Sequence, residues 1–261
     1  MEDIQIIDLG GDTALFDRAN IDSQVATAKM YRRDIQMSIS DSISMVTMDN
    51  EIAESCRYAL KRGNKVIMGP SVHLAKIIAC NWGNIRTEAK VISITNKQVI
   101  SRGIAWDLEK NIASSFEVIR SIIDSNGRRY SDDMITVTGN AANSIAYRNA
   151  VFAVIPKTVV DKVYREAQQK ITGDLSEDKA LVKRRNAAIK FFFTEYGVSE
   201  EEIIAMCGKQ NTSQIGIDEI SLLLGIQQSL KDGDTTVDQV FKNNKTVEER
   251  KLKMKTKTEM P

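Results

Sequence analysis

The sequence predicts an α+β fold: helices, then a three-stranded antiparallel β-meander packed on a long helix, followed by a small C-terminal helical domain. Three observations lead there. Between residues 85 and 123, three segments of strand composition follow one another across short polar junctions. On either side, apolar residues recur at three- and four-residue steps, the period of a helix half-buried against a core. Strand and helix patterns do not alternate, which points to a meander and not to a βαβ array.

Taken in order, residues 1–20 are acidic and unpatterned, and are expected to be mobile. Val25, Ala28, Met30, Ile35, Ile39, Ile43 and Val46 predict helix from about residue 20 to 45. Asp49 or Asn50 caps a shorter helix that should end near Leu60. Lys61 to Lys65 reads as a turn and Val66 to Met68 as a brief strand. Pro70 or Ser71 opens a helix carrying Val72, Leu74, Ile77, Ile78 and Trp82, and Gly83-Asn84 stops it.

The strands fall at 85–94, 98–108 and 112–123, with Asn96-Lys97 and Lys110-Asn111 at the junctions. Arg86 and Lys90 share one parity, and with Arg102 and Arg120 they are expected to make one cationic face. After Asn126-Gly127 and Arg128-Arg129, helices are expected at about 132–155, 157–171 and 177–196, halted by Pro156, Gly173 and Gly197. Ser199 and Glu202 form a capping box for the next helix, and another covers 217–230. Residues 232–241 read as a docking turn anchored by Phe241, and the charged segment 242–261 as disordered. The expected organisation is a mobile N-terminus (1–20), a core (21–196), a small helical domain (197–241) and a basic tail (242–261).

The charge is sorted along the chain. Residues 1–55 carry 4 Lys and Arg against 11 Asp and Glu, whereas residues 56–170 carry 18 against 9. Residues 171–241 return to 7 against 12, and the tail holds 7 against 3. A net charge of +1 thus hides a basic middle, the footprint of a surface that meets a polyanion. The single histidine, His73, sits in the first turns of a helical pattern and reads as structural, which leaves no stock triad or His-rich metal site. Cys56, Cys80 and Cys207 are widely spaced and read as reduced thiols. No phosphate-loop, dinucleotide or zinc motif occurs, so no catalytic residues, metal or cofactor are expected. No apolar run reaches the ~20 residues of a membrane span, and a cytoplasmic location is expected.

Three phrases of sequence carry a family resemblance: residues 69–84 (Gly69-Pro70-Ser71-Val72-His73 through Asn84), residues 103–111 (Gly103-Ile104-Ala105-Trp106-Asp107 through Asn111), and residues 138–157 (Thr138-Gly139-Asn140 through Pro156-Lys157). With the closing stretch 231–241, they resemble phage-encoded single-strand annealing proteins of the broad RecT/Redβ kind, over roughly residues 45–241. The resemblance implies a β-β-β-α annealing core that holds single-stranded DNA in a basic groove between sheet and helix. It implies an ATP-independent recombinase with no covalent step, active in phage homologous recombination and DNA repair as a homo-oligomeric ring or filament inside the bacterial host. The implied partners are single-stranded DNA, a 5′→3′ exonuclease and the host single-strand-binding protein.

Annealing requires that the backbone be held while base edges stay open, so Lys and Arg should meet phosphates and aromatic rings should stack on bases. Arg86, Lys90 and Arg102 on the meander are the first candidates, with Arg128 and Arg129 in the loop between sheet and long helix. Lys157 and Lys162 open the next helix. Lys61, Arg62 and Lys65 surround a turn and reach either DNA or a neighbouring subunit. Arg148 is either a phosphate contact or a buried partner for Asp107 or Glu109. Trp82 and Trp106 are core residues or stacking platforms. Two other readings remain: a phage structural or assembly protein whose basic face meets protein, and a metal-dependent nuclease using Asp107 with Glu109, or Asp132 with Asp133.

Overall fold

The computed structural model describes residues 10–62, 65–124, 127–174 and 178–241. The expectations for residues 1–9 and for the tail 242–261 lie outside the described residues. In chain order the elements are α1 (Gly10–Met30), α2 (Ile35–Val46), α3 (Asn50–Ser55), β1 (Arg57–Arg62), β2 (Lys65–Pro70), α4 (Val72–Trp82), β3 (Ile85–Ile94), β4 (Gln98–Asp107) and β5 (Ile112–Ser121). Then follow α5 (Asp132–Val154), α6 (Lys157–Asp174), α7 (Asp178–Tyr196), α8 (Glu200–Cys207), α9 (Ile217–Lys231) and α10 (Val237–Phe241).

Helix starts follow the capping chemistry. Asp49 accepts from the Ile52 amide, Ser71 from His73 and Leu74, and Ser131 from Met134. Ser199 and Glu202 close the reciprocal capping box, and Gly208 ends α8 in the left-handed region at φ 68°.

Three features depart from expectation, and the first is that the helix expected over 20–45 is broken at residues 31–34, where Asp34 caps α2 by accepting from the Gln36 and Met37 amides. Helix α1 begins at Gly10, ten residues before the expected start, and among its described side chains only Ala28 is buried, so the pattern that announces a half-buried helix is weak along it. Helix α3 stops at Ser55, and β1 pairs antiparallel with β2 where helix had been expected to run to Leu60. Tertiary contact decides this segment. Ala59 lies against Gly225 of α9, where a Cβ would come within 2.8 Å, and its amide donates to Ser229 Oγ at 3.0 Å.

The meander forms as expected, in the order β3-β4-β5, with a bulge between Val91 and Ser93. One face packs on α5. Val99, Ser101, Gly103, Ala105 and Asp107 of β4 are buried there, alternating with more open neighbours. Gly103 is required by the closeness of this packing, since a Cβ would stand 2.2 Å from the Ala146 carbonyl oxygen.

A second core joins α2, α4, the end of α5 and α6 through Leu74, Ile78, Trp82, Val151 and Val163. A third gathers Phe192, Ile203, Ile220, Leu223, Val240 and Phe241 together with Ala53, Ala59, Ile171 and Ala188. The boundary expected between Tyr196 and Gly197 therefore passes through a continuous core. Phe241 does anchor the closing turn, its ring edge-on to Phe192 at 5.5 Å. Among the described residues, no helix is long and apolar enough to cross a membrane.

Candidate nucleic-acid interface

The cross-strand register sorts the basic side chains. Lys90 stands opposite Arg102, which stands opposite Glu117, and Arg86 stands opposite Trp106. These share the sheet face turned away from α5. Arg120 does not join them, because it pairs with the buried Val99 and so points to the helix side. There its guanidinium donates to the carbonyl oxygens of Gly233 and Asp234, both at 3.0 Å. The expected four-residue cationic face is thus a three-residue one.

That face is also less cationic than its Lys and Arg count suggests. Lys90 Nζ lies 2.8 Å from Glu88 Oε1, and Arg102 grips Glu117 Oε1 through Nε at 3.1 Å and Nη2 at 2.7 Å. The hydrogen bond from Lys90 holds the Glu88 carboxyl below its usual range. Both pairs are solvent-exposed, and such pairs stabilise by only ~0–1 kcal/mol, so a phosphate can displace the glutamate at small cost. Arg86 meets Gln24 of α1 at 3.2 Å, beside an open groove of about 630 Å³ between α1 and β3.

Arg128 and Arg129 are exposed in a compact loop. Asp124 shapes it by accepting from the Arg128 amide through its side chain, while the Arg129 backbone bridges to Ile123. Arg129 has Asp132 at 4.0 Å as a weak partner, and Arg128 has no carboxylate partner among the described residues. The Ile122 amide donates to the Lys97 carbonyl, which brings exposed Lys97 to the same end of the sheet. Sequence reasoning assigned Lys97 only to a turn. The hairpin between β3 and β4 is the signal that places it at the sheet end from which the Arg128–Arg129 loop leaves.

Other expected residues go elsewhere. Arg148 is buried, 3.3 Å from Asp234 and stacked on the Tyr58 ring at 4.3 Å, so it is neither a phosphate contact nor a partner of Asp107 or Glu109. Those two acids are taken by Arg33, which sequence reasoning missed. Its guanidinium grips Asp107 at 2.6 and 2.7 Å, and its Nε and backbone amide both reach Glu109. With their oxygens committed in this way, Asp107 and Glu109 serve as structural anchors. Asp132 and Asp133 are exposed in the first turn of α5.

Trp82 is only 5% exposed, with Arg33 stacked on it at 4.6 Å and its Nε1 directed at Asp107, so it is closed to a base. Trp106 is half-buried on the open face, its Nε1 donating to Asn111. Lys157 pairs with Asp161 one turn on, and Lys162 is exposed. Helix α6 packs on α2 and α3 and not on the sheet, so neither lysine joins the strand cations. Lys61, Arg62 and Lys65 border the β1–β2 turn, and their side chains lie outside the described residues.

The groove expected between sheet and long helix is filled by packing, as Gly103 and Ala146 show. The open surfaces are the opposite sheet face and the α1–β3 groove. His73 meets Asp232 at 3.0 Å, consistent with a structural role. The chain matches no family model, no curated protein and no solved structure.

Proposed function

We propose that this chain binds single-stranded DNA across the open face of its sheet and anneals complementary strands without ATP, as RecT/Redβ-type phage proteins do. The observation that carries the reading is the shared open sheet face of half-buried Arg86 and exposed Lys90 and Arg102, with Trp106 opposite Arg86 and with exposed Lys97, Arg128 and Arg129 at one end of the sheet. Phosphate contacts of this kind bind without reading bases, and one aromatic platform spaces the strand. The strand–strand–strand–helix order and the sequence phrases quoted above support the same reading. In this proposal the protein works as a homo-oligomer in a bacterial host cell during phage recombination and DNA repair. An exonuclease supplies its single strand, and the host single-strand-binding protein is a neighbour. It is a binding protein and not an enzyme.

The test is annealing of complementary oligonucleotides without nucleotide cofactor. Acceleration over spontaneous pairing is expected, and none would overturn the reading. Replacing Lys97, Arg128 and Arg129 by Ala should weaken binding for all sequences and make the salt dependence of log K shallower by about 2. A second reading, a phage assembly protein, is favoured by Glu88 and Glu117 on the same face and by exposed Ile92 and Ile119. It predicts oligomers that form without DNA and bind oligonucleotides with little response to salt.

A further inference from the structure

Arg57, the first residue of β1, is 4% exposed. A buried guanidinium ordinarily has a carboxylate beside it, because an uncompensated charge in a dry interior is strongly unfavourable. Arg33 and Arg148 follow that rule, with Asp107 and Asp234. Arg57 does not. Among the described residues its guanidinium makes one hydrogen bond, from Nη1 to the Ser221 carbonyl oxygen at 3.2 Å, and no acid pairs with it.

Its Nε and Nη2 are both buried and unpartnered. These two nitrogens form the side-on edge of the guanidinium, where two N–H bonds run nearly parallel and converge on one acceptor. Elsewhere in this protein the same edge is filled: Arg102 uses Nε and Nη2 together on Glu117 Oε1. Around Arg57 the ionisable neighbours are Tyr164 of α6 and Cys56. Burial pushes the Cys56 thiol up to about 12 and raises the Tyr164 phenol, so both are neutral near pH 7 and neither supplies the missing charge. Burial also lowers the Arg57 guanidinium below its ordinary value, though an arginine stays protonated near neutrality.

We infer that the side-on edge of Arg57 holds one small inorganic anion, of the size and charge of chloride, between β1, α6 and α9. A monovalent halide satisfies both N–H groups and cancels the charge, and because the two nitrogens are closed off from solvent a phosphodiester or a partner's carboxylate side chain does not reach them. A water molecule would accept the two hydrogen bonds but leave the charge uncompensated. The site is separate from the open sheet face and stands whether or not that face binds DNA. It makes β1, and so the docking of α9, dependent on the anion.

The test uses the full chain in sodium bromide or chloride against sodium glutamate at equal ionic strength. Halide should raise Tm in proportion to the logarithm of its concentration, by about 3–5 °C for each tenfold excess above its dissociation constant. Arg57→Met should remove that response while retaining the fold in glutamate, since it removes the charge that needed cancelling. A wild-type Tm indifferent to halide, or an equal response in Arg57→Met, would overturn the inference. If Arg57→Met fails to fold, bromide-grown crystals of the wild type decide the matter. An anomalous peak within hydrogen-bond reach of Arg57 Nε and Nη2 supports the site, and bromide found only elsewhere rejects it.

Discussion

Arg148 of α5 and Asp234 of the closing turn form a buried ion pair, 3.3 Å apart, that links the centre of the long helix to the C-terminal segment. Arg120 reinforces the link by donating to the Asp234 carbonyl oxygen. Asp234→Ala would leave Arg148 buried without a counter-charge and is expected to cost about 3–5 kcal/mol in urea unfolding. Replacing both by apolar residues of similar volume should cost much less, because no orphan charge remains.

The same pair makes a pH prediction. Burial raises the Asp234 carboxyl above its usual value, although Arg148 opposes the shift. The folded carboxyl therefore takes up its proton at a higher pH than the unfolded one does. Its contribution to stability is present below the ordinary aspartate pKa and fades as pH climbs through the raised value. Asp234→Asn should remove this component, which a comparison of urea midpoints with wild type across the acidic range would detect. A larger wild-type gain on raising the pH would contradict the assignment.

Gly103→Ala places a methyl group against the Ala146 backbone, which cannot move aside as a flexible side chain would. The expected loss is about 3 kcal/mol, with the helix displaced from the sheet. An unchanged thermal midpoint would mean that the helix sits farther from β4.

The two tryptophans should separate by phenotype. Trp82→Ala empties a packed site beneath Arg33 and is expected to cost about 3–5 kcal/mol of stability. Trp106→Ala should barely affect folding but weaken binding of single-stranded oligonucleotides by about 1–3 kcal/mol. Fluorescence quenching by oligonucleotide should persist in Trp82→Phe and vanish in Trp106→Phe.

The three thiols provide a check on packing. Exposed Cys80 should react first with a thiol reagent at neutral pH, and half-buried Cys207 later. Cys56, buried and pushed to about 12, should react roughly 10³-fold more slowly than Cys80 and catch up only on unfolding. Peptide mass spectrometry after timed labelling reads the order.

Local chemistry made much of this fold legible. Asp49, Ser71, Ser131 and Ser199 announce helix starts because a cap satisfies amides only two or three residues away. The meander could be read because alternation and turn residues act within one hairpin. Its helix-side partner could be read from the apolar pattern after Ser131. The start of α1 before residue 20 escaped notice because Ala28 is the one buried residue among the helix's described side chains, and β1 escaped because its strand state is imposed by α9, more than 150 residues away in sequence.

The charges divide in the same way. By itself the sequence determined how many cations lie in the middle of the chain and which strand parity Arg86, Lys90 and Arg102 share. Only the tertiary structure decided which of them meet solvent. Arg33, Arg120 and Arg148 are drawn inward by Asp107, Gly233 and Asp234, while strand pairing carries Lys97 to the sheet end where the Arg128 loop begins. Helix caps and hairpin turns are settled within a few residues, whereas the partner of a long basic side chain is whichever acid or carbonyl the folded backbone brings within 3 to 4 Å. That depends on segments distant in the chain.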